Sequence, residues 1–279
     1  MRNILVPTDF SDNSMHALRY AIDLARIAPS RITLLSAYHI PAPAAEFGAV
    51  IDPGDFERLR VETVHALEGL ADEVRAQFEG QVTVTAVAGF ASTAITAAME
   101  EQRPWLTVMG SKGTTGLERF IWGSVATEVA AHCTTPLLVV PEGQAFLGIR
   151  EVLFSTDFLE EDRDVMAYVQ TWQRLPDALH VHFLHVVNGQ IPEPFEQEHM
   201  VAFQQHVRSL DNAPDMSFEM CEERRIEDAV LEEAASDGYD LLVVSPRRRN
   251  WFMKLFIPSV SSALVKHAGL PTLLYPVPA

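Results

Sequence analysis

Gly110-x-x-Gly113 is followed, nine residues on, by Gly123-Ser124. An apolar run from Leu106 to Met109 leads into the first glycine, and a helical pattern starts at the last. Glycines at the carboxyl end of a strand let the backbone approach a ligand closely. A helix that opens at Gly123-Ser124 presents unpaired N–H groups and the positive end of its dipole, which suits phosphate. Anion binding is therefore the chemistry implied. The spacing is neither the P-loop G-x-x-x-x-G-K-[ST] nor the dinucleotide G-x-G-x-x-G pattern. Ser111, Thr114 and Thr115 offer further donors, and Lys112 reads as a solvated point charge rather than a catalytic lysine.

Other polar residues carry weaker signals. Asp9 follows the first apolar run; a carboxylate there accepts from ribose hydroxyls or holds a metal beside phosphates, or else is a turn or helix-cap aspartate. Gly89 either leaves room for a base or makes an ordinary strand-to-helix turn. Trp122 and Phe120 read as packing residues. His180 and His182 share one face of an expected strand and His185 the other. No third ligand stands at useful spacing, so these read as strand histidines rather than a metal site. Arg247-Arg248-Arg249, with Lys254, reads as a solvated loop, or else as a docking point for an anion or an acidic partner.

Apolar runs at 3–7, 31–38, 82–88, 105–109 and 136–140 alternate with helical periodicity after Ser11 and over about 55–79, 91–102 and 123–132. The alternation predicts a parallel, doubly wound α/β sheet, with ligands beyond the carboxyl ends of the strands where strand order reverses. Asp9, Ala37, Gly89 and Gly110 all fall at such ends. The pattern then returns. Ile4 to Phe10 is repeated as Val152 to Phe158, and TPLLVVP at 135–141 as LPTLLYP at 270–276. The offset is 148 at the start and 135 from the fourth strand, so the second copy is about thirteen residues shorter in its middle. Two tandem domains are expected, 1–143 and 149–279, joined at Glu142 to Gly148. The last strands of the two copies are exposed edges unless they pair antiparallel, making the chain a pseudo-dimer. In the second copy Gly110, Gly113 and Gly123 become Ser245, Arg248 and Pro258, and only Ser124 keeps its type, as Ser259. That copy is expected to have lost the phosphate cradle.

GSKG, nine residues, GS, a helix and TPLLVVP, together with the opening ILVPTDFS, closely resemble the universal stress proteins, over nearly the whole chain. The resemblance implies two tandem doubly wound, Rossmann-like parallel-sheet domains and an ATP-binding regulator of the stress response. It implies that Asp9, with Pro7 and Thr8 lining the turn, touches the nucleoside and that Ala37 offers its backbone to the adenine edge, beside the room that Gly89 would leave for the base. Phosphate contacts then carry to Gly110, Ser111, Gly113, Gly123, Ser124 and Val125. ATP, or ADP or AMP, is the expected ligand, with Mg²⁺ or Mn²⁺. No catalytic base or nucleophile stands beside the loop, so binding with at most slow hydrolysis is expected. A slow ATPase or nucleotidyl transferase and a nucleotide-independent scaffold are the alternatives.

The 279 residues carry a net charge of −17 and a pI near 4.9, which argues against nucleic acid or anionic membranes as partners. No apolar run reaches the roughly 18 residues of a membrane span. Cys133 and Cys221 stand in unrelated contexts, so a reduced cytoplasmic setting is expected. The expected partners are an adenine nucleotide, a protein of unknown identity and, as an option, a second copy of the chain.

Overall fold

The computed structural model describes residues 1–39, 53–112, 122–159, 161–172, 179–187, 193–210, 213–222, 226–236, 238–245 and 269–276. Gly113, Phe120, the Arg247 to Arg249 cluster, Lys254, Pro258 and Ser259 lie outside these residues.

The first half runs β1 (Arg2–Pro7), α1 (Asp12–Ile27), β2 (Ser30–Tyr38), α2 (Pro53–Arg75), β3 (Val82–Ala88), α3 (Ala91–Gln102), β4 (Leu106–Gly110), α4 (Ser124–His132) and β5 (Leu137–Val140). The second runs β6 (Glu151–Ser155), α5 (Glu161–Gln170), β7 (His180–Val187), α6 (Glu193–Ser209), β8 (Asp215–Glu222), α7 (Ile226–Ala234), β9 (Leu241–Val244) and β10 (Thr272–Leu274). β1, β4, β5, β9 and β10 are almost wholly buried, as expected of parallel strands covered on both faces.

All ten strands form one sheet in the order β3-β2-β1-β4-β5-β10-β9-β6-β7-β8. Every pairing is parallel except β5 with β10, where Leu138 stands opposite Leu273. The expected edge-to-edge pairing of the two copies is thus present. Strand order reverses between β1 and β4, and again between β6 and β9. One core joins the sheet to α1, α2, α5 and α6, and the other joins it to α3, α4 and α7; both cross from one half into the other.

The Thr-Asp-Phe turn after the first strand of each half has one construction. Phe10 (φ 61°) and Phe158 (φ 57°) take left-handed backbone, which costs about 1–2 kcal/mol for a residue with a side chain. Their N–H groups donate to Thr8 Oγ1 at 3.0 Å and Thr156 Oγ1 at 2.8 Å, which offsets part of that cost. The turn directs the chain into α1, whose cap Ser11 accepts from Ser14 N.

Aromatic residues fill the seam between the halves. Tyr168 donates to the Trp105 carbonyl at 2.8 Å, and the rings of Trp105, Trp172 and Tyr275 lie 5.3 to 5.9 Å from that of Tyr168. The Arg2 guanidinium sits 4.5 Å over Trp105 and donates to the Thr171 carbonyl. Nearby, Tyr20 packs edge-on against Phe146, between β5 and β6.

Burial, with a smaller contribution from Asp240, raises the Tyr20 pKa well above the usual tyrosine value. Above about pH 10 the unfolded chain therefore loses this proton while the folded chain keeps it. Folding stability is expected to fall by about 1.4 kcal/mol per pH unit there from this group. Tyr20→Phe should remove that part of the slope in urea unfolding between pH 9 and 11. An unchanged slope would assign the alkaline loss to other groups.

Candidate functional site

A crevice of about 740 Å³, including its open mouth, lies at the carboxyl ends of the first-half strands, where β1 and β4 part. β1 and its turn supply Pro7, Thr8 and Asp9, and β2 supplies Leu35 and Ala37. Met109, Gly110 and Lys112 come from β4 and the residues after it. Ser14 of α1, Ala91 and Ile95 of α3, and Gly123 to Ala126 at the start of α4 close the walls. One end is thus polar and the other, at Leu35, Ala37, Ala91 and Ile95, is apolar.

Two helices begin beside this crevice with nearly the same cap geometry. Ser11, at φ −69° and ψ 157°, caps α1: its Oγ accepts from Ser14 N, and Asp12 adds an acidic side chain to the first turn. Gly123, at φ −66° and ψ 164°, begins α4 with no side-chain cap and no acidic residue in the first turn. Its own N–H donates to the Ser111 carbonyl at 2.7 Å, and the first bond within the helix is Thr127 N to Gly123 O. Helix geometry therefore leaves the N–H groups of Ser124, Val125 and Ala126 without intrahelical acceptors, and these three residues line the crevice. An anion is the natural acceptor there.

The opposite wall is fixed by short bonds. Asp9 Oδ1 accepts from Ser11 N at 3.1 Å and from Ser11 Oγ at 2.5 Å. Thr8 and Ser14 hydroxyls are 3.0 Å apart. Asn13 Nδ2 donates to the Lys112 carbonyl at 2.9 Å, tying α1 to the chain after β4. Gly110 owes its identity to this packing: a Cβ there would lie 2.9 Å from the Asn13 carbonyl oxygen. Its glycine serves the close approach of α1, in addition to its position on the crevice wall.

Pro7, Thr8, Asp9, Ala37, Gly110, Gly123, Ser124 and Val125, all expected from sequence, are together on the wall. Ser111 lies behind it, buried, with its N–H given to the Val140 carbonyl and its C=O to Gly123. Gly89 stands beyond the apolar end, at φ +129°, its N–H on the Tyr38 carbonyl. Gly113 lies outside the described residues. Ser14, Leu35, Ala91, Ile95, Met109 and Ala126 line the crevice as well, without a sequence motif to mark them. Leu35 was within reach, since it shares Ala37's face two residues earlier. Lys112, read as solvated, borders the crevice.

The second half differs at the matching place. Asp162, at the position of Ser14, is a buried carboxylate with 1% exposure that accepts from Thr156 Oγ1 at 2.7 Å and from Asp157 N. His185 Nδ1 is bonded to the Thr156 carbonyl, and Phe158 packs on the imidazole and on Phe203. Ser245 stands buried at the position of Gly110. On the other face, His180 and His182 share the hydroxyl of Ser217, and His180 also bonds Glu151 at 2.6 Å. Among the described residues, no group of three or more His, Cys, Asp or Glu is placed to hold a metal ion, and no helix is long and apolar enough to cross a membrane.

The fold defines a doubly wound α/β protein, built twice, with a crevice at a topological switch point. A model of the universal stress protein family matches residues 1–141 and again 148–276, and the chain belongs to that family. A universal stress protein of Methanocaldococcus jannaschii is 29% identical over 143 residues, 50% of this chain and 81% of the relative. The crystal structure of a universal stress protein from Archaeoglobus fulgidus superposes with a TM-score of 0.74 at 17% identity, covering 98% of each chain. A Pseudomonas aeruginosa structure described as a putative universal stress protein gives 0.63 at 15% identity, covering 99% of this chain and 93% of the other. At these identities the two structures bear on the fold alone.

Proposed function

We propose that the chain is a cytoplasmic adenine-nucleotide-binding regulator with one functional site, in a first domain spanning 1–143. The observation that carries this reading is the uncapped start of α4, which turns backbone donors into the crevice while neighbouring α1 caps itself. Gly123, Ser124, Val125 and Lys112 would hold the phosphates. Asp9, with Pro7 and Thr8, would border the nucleoside, and the apolar end at Ala37 would take the base. Asp9 is the carboxylate on the described wall, and it fits a Mg²⁺ or Mn²⁺ ion that keeps most of its ligands from phosphate and water. A bound metal would neutralise phosphate charge.

The domain spanning 149–279 is read as a partner that binds no nucleotide in this manner. Asp162 places a buried carboxylate where Ser14 borders the first crevice, and Phe158 is packed into the core where Phe10 is 41% exposed.

Calorimetric titration of the full chain, stripped of nucleotide, with ATP and Mg²⁺ should give one site per chain. Phosphate release in excess ATP should stay below about one turnover per second, where ordinary enzyme rates begin. Two sites would overturn the account of the second half, faster turnover would make the protein an ATPase, and no binding would leave a nucleotide-independent scaffold.

A further inference from the structure

We propose, resting on the nucleotide reading of the same crevice, that His39 and Phe90 form an aromatic lip that favours a two-ring base over a one-ring base. Leu35 and Ala37 line the crevice, and side chains two apart along a strand share a face, so His39 continues that face just past the end of β2. Phe90 caps α3 directly before Ala91, which lines the same apolar end. The two rings meet with centroids 5.5 Å apart and planes inclined by 40°.

Both residues are exposed, Phe90 to 70%, the highest exposure of the large aromatic side chains among the described residues. The lip has a fixed footing. Gly89 takes the left-handed turn at φ +129°, and its N–H is held by the Tyr38 carbonyl at 2.9 Å. Phe90 holds the N-cap position of α3 by its backbone alone, and its ring stands 70% exposed. The crevice runs from donors at α4 to apolar side chains at Ala37 and Ala91, with the rings beyond. A ligand held by its phosphates at the first end directs its base towards the second. A larger base then reaches further onto the lip, where stacking is favourable whatever its hydrogen-bonding edge.

The test is titration of the full chain, unaltered and as Phe90→Ala and Phe90→Trp, with ATP, CTP and inorganic tripolyphosphate. Phe90→Ala should weaken ATP by about tenfold and CTP by less than about twofold, the range of one stacking contact. Tripolyphosphate should bind unchanged, and Phe90→Trp should retain the preference for ATP. Equal weakening of all three probes, or no weakening of ATP, would overturn the lip. If the unaltered protein bound tripolyphosphate with ATP no tighter, the base end would be idle and the lip again overturned. Failure of the unaltered protein to bind either ATP or tripolyphosphate would instead remove the nucleotide reading, and the lip with it. His39→Ala, on the same exposed surface, should reproduce the selective loss of ATP at smaller size.

Discussion

Gly123→Asp is expected to abolish nucleotide binding and at the same time to stabilise the fold. The backbone of Gly123, at φ −66° and ψ 164°, lies in a region open to any residue, so the substitution brings no backbone strain. The same geometry at Ser11 allows a side-chain oxygen to reach the N–H of the third residue on. An aspartate at 123 should therefore cap α4 as Ser11 caps α1. Filling an empty cap and setting a negative charge at a helix start each favour the helix, together by about 1 kcal/mol. The carboxylate would occupy the donors that phosphate requires and repel what remains. An affinity loss of at least about 100-fold, roughly 2.7 kcal/mol, is expected in calorimetry with ATP and Mg²⁺. The unfolding midpoint should rise by about 2 °C. Opposite signs in the two measurements separate a site kept open for an anion from a merely weak helix start. Loss of stability together with loss of binding would mean that Gly123 is a packing residue.

The strand framework was legible because buried parallel strands read as apolar runs, and the repeat gave the first, fourth and fifth runs a second witness. The antiparallel seam followed from the cost of leaving TPLLVVP and LPTLLYP as bare edges. The end of α2 was not legible. Phe78 continues the apolar stripe at helical spacing, yet the helix stops at Arg75. Phe78 enters the core through a turn bonded to Val74, and Gly80 admits the ring: a Cβ there would sit 2.2 Å from it. Periodicity does not distinguish a residue on a helix from one just past its end.

Strand ends marked most of the crevice, because topology places them at the switch point. Gly110 and Ser111 show the limit of motif reading. Both stand in the glycine loop, but tertiary contacts give one to the approach of α1 and turn the other behind the wall. Asp162 was missed for a related reason. An aspartate near a helix start reads as an exposed cap, and only the fold shows it buried against Thr156 and Asp157. Its placement adds a charge argument to the loss of glycines that sequence had already shown in the second copy.

Trp172→Ala is expected to destabilise the protein by about 3–5 kcal/mol, the usual cost of removing a buried tryptophan side chain. Trp172 is 3% exposed and lies against Trp105 and Tyr168, with ring centroids 5.8 and 5.9 Å away. Trp105 belongs to the first half and Tyr168 and Trp172 to the second, so the cavity would open in the seam rather than inside either half. Among the described residues the halves also share both apolar cores, three residue pairs of the β5–β10 ladder, the Tyr168 bond to Trp105 and the Arg2 bond to Thr171. Trp172 belongs to the core that runs through both halves, and Trp105 and Tyr168 pack against it where it crosses the seam, so the aromatic cluster should carry a large part of the coupling. Urea unfolding, followed by tryptophan fluorescence and by circular dichroism, should then show a single transition in the unaltered protein and non-coincident transitions in Trp172→Ala. Coincident curves shifted by less than about 1 kcal/mol would place the coupling in the backbone ladder instead. The distinction bears on the proposed function: were the first half to hold the one nucleotide site, a tightly coupled seam would let binding there be felt in the second half, and a weakly coupled seam would leave the second half to act alone.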